Sequence, residues 1–180
     1  VSKFVPAEDI IIPYTATDLE TCERITHVVK MMGNDLRKKQ IGGMYRDVDI
    51  SPSSVDSNDA EDKYNELDGL TETQNAEDIV LLEFHCDLDI PGFEDKNITT
   101  GEVTGIKLPY VVTVDEGTNK VLSIYRNYRQ GDPLKKKIQY FVHYKFLPGL
   151  GFYGFGLIHM LGGLSRTATS ALRQLIDAGT

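Results

Sequence analysis

Residues 79–90 read IVLLEFHCDLDI, and their alternation decides the fold class. Leu82, Phe84, Cys86, Leu88 and Ile90 point one way, and Glu83, His85, Asp87 and Asp89 the other. A period of two is the signature of a half-buried strand, so the apolar set is expected against a core and the polar set in water. Downstream, LPYVVTV (108–114) and KVLSIYRNY (120–128) flank Asp115, Glu116, Gly117, Thr118 and Asn119, a loop of hairpin length containing glycine. The next run, IQYFVHYKF (138–146), places Ile138, Tyr140, Val142, Tyr144 and Phe146 on one face and predicts a further strand. Upstream, RITHVVKMM (24–32) is rich in β-branched residues and reads as a strand, while EDIIIPY (8–14) reads as an edge strand stopped by Pro13.

Three helices punctuate these runs. Thr17 and Glu20 have capping-box spacing and predict a short helix from Asp18. Asn34 is placed to cap DLRKKQI, with Asp35 in the first turn, Arg37, Lys38 and Lys39 toward the end, and Gly42-Gly43 as a stop. The last run, LSRTATSALRQLIDAG, predicts a helix capped by Ser165, with Ala168, Ala171, Leu172, Leu175 and Ile176 in one stripe. Sequential strands with short turns give an α+β fold: a mainly antiparallel sheet with short flanking helices and a longer C-terminal helix. Four parts follow: a strand-helix-strand-helix part (1–50), an acidic insert (51–78), the antiparallel sheet (79–148), and a glycine-rich loop leading into the helix (149–180).

The 180 residues are 41% hydrophobic and 26% charged, with a net charge of −8, ordinary for a globular chain. The charge is concentrated. Residues 51–78 hold nine acids and one base, Lys63, so the remainder is neutral. With so few large apolar residues, that stretch is expected to be exposed, at most one surface helix capped by Asn58. Cys22 and Cys86 are too few for a disulfide scaffold or a four-cysteine zinc site. The opening VSKFVPAED lacks the pattern of a secretory signal. Both ends read as cut edges, which points to a piece of a longer protein. Residues 146–165 are uncharged, but six glycines and a proline oppose a membrane-spanning helix.

Candidate chemistry is thin. Gly149-Leu-Gly151-Phe-Tyr-Gly154 spells GxGxxG, yet Phe152 and Tyr153 crowd the turn and no βαβ unit follows, so a loop before a helix is the better reading. His85, Asp87 and Asp89 share one strand face and could ligate a metal, but this is equally the solvent face of a half-buried strand. No nucleophile-base pair, phosphate loop or zinc motif occurs, so neither a catalytic residue nor a cofactor site is assigned and the chain is read as a non-enzyme. Two basic stretches remain. Residues 24–46 carry six bases and one acid. Residues 120–145 carry seven bases and one acid; Lys120, Arg126, Arg129, Lys135, Lys136 and Lys137 form a possible phosphate-binding or interface patch, interleaved with Tyr125, Tyr128 and Tyr140. A solvated hairpin loop is the plainer reading of the second stretch.

Several blocks, taken in order, resemble the portal proteins of podovirus-like tailed bacteriophages. VPAEDIIIPYTATDLETCERITHVVKMMGNDLRKKQIGGMYRD resembles a block of that family at Pro6, Glu8, Asp9, Arg24, His27, Asp35 and Leu36. LLEFHCDLD, with Asp87 and Asp89, resembles the strand that precedes the family's long hairpin. YFVHYKFLPG followed by GFGLIHMLGGLSRTATSALRQLIDAGT resembles the passage from the sheet domain into a stem helix. The resemblance implies a peripheral wing domain ending in the start of that helix, in a structural subunit of the head-tail connector. In the full protein it implies a dodecameric ring in the virion, assembled in the host cytoplasm or from a prophage. Double-stranded DNA would pass through the channel in packaging and ejection. Its partners would be terminase, capsid and tail-adaptor proteins, with no membrane and no cofactor. Two other readings stand beside it: another virion assembly protein with a similar sheet, or a nucleic-acid-binding module using the 120–145 patch.

Overall fold

The structure is a computed structural model that describes residues 2–50, 67, 78–97, 99–145, 147–149 and 151–179. The acidic stretch and its expected surface helix lie outside the described residues, apart from Leu67 and from Asp78, which opens a strand. The chain divides into two units. The first joins Val1–Pro13 to Glu23–Ile138, and the second joins Tyr14–Cys22 to Gln139–Thr180.

The first unit is an antiparallel sheet in the order β1-β2-β3-β4-β5, each strand beside its neighbour in sequence. The strands are β1 (Ile10–Ile11), β2 (Arg24–Met32), β3 (Asp78–Leu88), β4 (Leu108–Asp115) and β5 (Val121–Arg126). β2 and β3 pair from Arg24 opposite Cys86 to Met32 opposite Asp78, and β3 and β4 from Leu81 opposite Asp115 to Leu88 opposite Leu108. The expected hairpin joins β4 to β5. Its turn is fixed by Asp115, whose Oδ2 accepts from the Thr118 backbone N–H at 2.8 Å and from the Thr118 hydroxyl at 2.5 Å. Thr113 pairs with Ser123 but Val114 with Val121, so Leu122 is an extra, bulged residue.

Helix α1 (Gly33–Ile41) follows β2 directly and ends at Gly42, with Gly43 in the left-handed region at φ 71°. It starts just before the expected Asn34 cap. Leu36 of α1 packs with Ile79, Leu81 and Leu122 as the core cluster, and Val29, Met31, Tyr45 and Ile50 pack around it.

Burial along β3 departs from the expected alternation at one end. Ile79, Leu81 and His85 of the odd-numbered row are buried, as is Val80 of the even row, while Leu82, Phe84, Cys86 and Leu88 are half-buried and Asp87 and Asp89 exposed. On the even row, Leu108 and Tyr110 of β4, opposite Leu88 and Cys86, are buried too, so both faces are partly covered. The residues that follow β2 lie over Ile79 and Leu81.

Two other expectations are corrected. Residues 17–21 form a turn and no helix: Asp18 Oδ1 accepts from the backbone N–H groups of Glu20 at 2.9 Å and Thr21 at 2.7 Å. A carboxylate that satisfies local N–H groups competes with helix propagation. The strand expected over 138–146 is absent among the described residues; Ile138 donates to Asn127 O at 3.0 Å, and residues 139–145 join no sheet. On the outer side of β5, Arg46 N–H donates to Leu122 O at 2.8 Å.

The second unit carries a small loop closed by a bridge between Leu147 and Phe155, then helix α2 (Leu157–Ala178). The helix begins at Leu157 and not at Ser165. His159 Nδ1 accepts from the Gly156 N–H at 3.2 Å, so the cap is provided earlier than expected. Leu157, Met160, Leu161 and Leu164 favour helix strongly enough to carry Gly162 and Gly163, each of which costs about 1 kcal/mol relative to alanine. No helix among the described residues is long and apolar enough to cross a membrane.

Candidate functional site

Three places concentrate the polar or unpartnered groups. The first is a row across one face of the sheet. His27 of β2 stands opposite Glu83 of β3, Glu83 opposite Thr113 of β4, and Thr113 opposite Ser123 of β5. His85 lies two residues along from Glu83, and its Nε2 is 2.7 Å from Glu83 Oε1. Its side chain is 4% exposed against 30% for Glu83. The hydrogen bond from His85 holds the Glu83 carboxyl below its ordinary range, against the opposing effect of burial. Burial lowers the basicity of His27, and the charges of Glu83 and Asp9 oppose that shift. Burial and the Glu83 charge raise the Tyr45 phenol, which hydrogen-bonds Thr113.

A strap roofs this row. Tyr125 donates its hydroxyl to Met44 O, Gln40 donates Nε2 to Arg46 O at 3.3 Å and Val48 O at 2.8 Å, and Lys120 Nζ donates to Asp49 O at 2.8 Å. Lys39 sits over the Tyr45 ring, 5.4 Å from its centroid. The arrangement is one of satisfied contacts holding the strap to the sheet.

The second place is the basic patch. Lys120 lies at the β4–β5 hairpin and is tied to Asp49, whereas Arg126 ends β5 some 20 Å further along the strand at about 3.3 Å per residue. Arg129, Lys136 and Lys137 lie in the loop after β5, where Asp132 caps the backbone N–H groups of Leu134 at 3.0 Å and Lys136 at 3.1 Å. Lys135 is committed to a carboxylate: it forms an ion pair with Asp95, which also accepts from the Thr104 hydroxyl at 2.6 Å. Lys120 thus stands apart at one end of β5, the other five lie at or beyond its opposite end, and Lys120 and Lys135 are spent on internal contacts.

The strand face weighed as a metal site does not stay open along its length. His85 is buried against Glu83, whereas Asp87 and Asp89 are exposed. Among the described residues no group of three histidine, cysteine, aspartate or glutamate side chains is placed to hold a metal ion. Burial, with the Asp87 charge adding to it, keeps the Cys86 thiol protonated above its usual range. The GxGxxG stretch packs by its large residues: Phe152 is buried, stacks on His143 at 4.0 Å, and lies under Lys145, whose Nζ donates to Gly151 O at 3.3 Å. A Cβ on Gly154 would sit 2.3 Å from Leu147 O. The glycine spacing serves a tight hairpin.

The third place is α2, which sequence reading recognised only in its second half. Leu157, Leu161, Leu164, Ala168, Ala171, Leu175 and Ala178 recur at alternating spacings of four and three. Arg166 and Arg173, seven residues apart, lie off that seam. No residue of this 22-residue helix is buried. The missed signal was the run of leucines at 157, 161 and 164, masked by the glycines beside them.

The chain matches no protein-family model and no curated protein.

Proposed function

We propose that this chain is the wing-like part of a structural subunit that assembles into a ring, the portal of a tailed bacteriophage, through which double-stranded DNA is packaged and ejected. The observation that carries the reading is α2. A helix of 22 residues, about 33 Å long, presents a continuous apolar seam and buries none of it. An isolated helix gains most of its stability from packing an amphipathic face, so such a seam is built for neighbours. A seven-residue recurrence of apolar positions is the pattern by which helices pack side by side. The ordered resemblance of three blocks to portal proteins supplies the kind of assembly. The neutral body outside the acidic insert agrees with it.

The rival nucleic-acid module would use the bases at and after the end of β5, from which Lys120 stands apart and of which Lys135 is paired with Asp95. Sedimentation of the full-length protein with and without α2 tests the proposal. Large closed assemblies that are lost with the helix support it. A monomer at every concentration, or steeply salt-dependent DNA binding abolished by changing Arg126 and Arg129, favours the module.

A further inference from the structure

We infer that the polar face of α2, between Arg166 and Arg173, binds the phosphate backbone of the duplex DNA that passes through the ring. The inference rests on the ring reading and gives the helix a second working face. Two features of the chain carry it: a pair of uncommitted cations, and the open surface between them.

The cations come first. Arg166 and Arg173 stand two turns apart on one face of α2, about 10 Å along the axis at roughly 1.5 Å per residue. Both are exposed. Among the described residues neither guanidinium has an ion-pair or hydrogen-bond partner. Elsewhere bases are tied to acids: Arg37 to Asp47, Lys38 to Asp35 and Lys135 to Asp95. The helix has one acid, Asp177, a turn beyond Arg173, so its polar face is net positive. A duplex carries one negative charge about every 1.7 Å of its axis, so a span of about 10 Å meets several phosphates whatever the base sequence.

The surface between them is shaped for close approach. A groove of about 530 Å³ is lined by the two arginines with Gly162, Ser165, Thr169 and Ser170. No side chain between the arginines in this lining is larger than threonine, and a Cβ on Gly162 would meet nothing within 4 Å. A phosphodiester chain can therefore lie near the helix while the guanidinium forks take its oxygens from either end. Thr169 spends its hydroxyl on Ser165 O at 2.8 Å, which leaves the hydroxyls of Ser165 and Ser170 as further donors. The face lies off the leucine seam, so neighbours packed on the seam leave it open. Such contacts read charge and not base sequence. Weak in each copy and repeated in every copy, they hold a duplex and let it slide.

The test is binding of a fluorescent duplex of mixed sequence to the full-length protein over a range of salt, with sedimentation alongside. The parent is compared with Arg166→Gln/Arg173→Gln and with Arg166→Lys/Arg173→Lys. Both positions are exposed, and glutamine and lysine favour helix about as arginine does, so the fold is kept. Losing two phosphate contacts is expected to flatten the slope of log K against log salt by about two for each copy on the duplex, and the lysine pair to restore it. An unchanged slope in the glutamine pair overturns this inference; rings seen in the same samples leave the ring reading standing. A slope that flattens only with Arg126→Gln/Arg129→Gln overturns it in favour of the nucleic-acid module. Rings that fall apart in the glutamine pair overturn it too, since the arginines would then serve assembly. A parent that binds no duplex at any salt does the same. A slope that flattens with the glutamine pair in a protein that never forms rings supports the phosphate face and overturns the ring reading.

Discussion

At the scale of single residues, the sheet's stability rests on a few side chains. Leu81 is 1% exposed and Leu122 not at all, and both belong to the core cluster under α1. Leu122→Ala leaves a cavity beneath Leu36 and is expected to cost about 2–5 kcal/mol, read as a lower denaturant midpoint at unchanged slope. The polar row gives a direction with pH. His27 and Glu83 both have folded-state pKa values below their ordinary ones, 6.5 and 4.5. In each case the unfolded chain binds the proton more readily, so stability is lost on acidification. The loss begins below pH 6.5 with His27 and deepens below 4.5 with Glu83. His27→Gln should flatten the first phase of a melting-temperature profile and leave the second; an unchanged first phase would assign it elsewhere. Gly154→Ala tests the tight hairpin. With Leu147 O 2.3 Å from the added Cβ, the Leu147–Phe155 bridge must open, and chymotrypsin should then cut after Phe152 far faster than in the parent.

At the scale of elements, what could be read from the sequence separates by physical cause. Four longer strands and α1 were legible because alternation, capping residues and glycine stops all agreed locally. The burial of His85 in β3 was not, since it is offset by its bond to Glu83, a contact visible only once the strand is folded. The fate of 138–145 was illegible for a similar reason: its residues prefer a strand, but a strand needs a partner edge, and composition does not say whether one is offered. Of the candidate patch, the charges were countable in the sequence, but not the commitment of Lys135 to Asp95 or of Lys120 to Asp49. Helix α2 was half legible, its start hidden by glycines and found through the His159 cap. Helix α2 belongs to the second unit and has no buried residue. Ending the chain at Gly156 should leave the sheet's melting temperature within about 1 °C, a shift well under that of a 1 kcal/mol change, while self-association falls away. A sheet that unfolds on this truncation would show that the helix belongs to the folding core.

At the scale of the whole molecule, the chain pairs a finished sheet with unfinished surfaces. The sheet has its core, its bulge and its capped hairpin, whereas the apolar seam of α2 buries no residue. An exposed apolar seam on an otherwise ordinary fold marks an association site. The most direct measurement is single-particle imaging of the full-length protein that contains this chain. The account predicts closed rings with a central hole wide enough for duplex DNA and twelve-fold symmetry in end view. A field of monomers or two-fold dimers, with no central hole at any concentration, would contradict it.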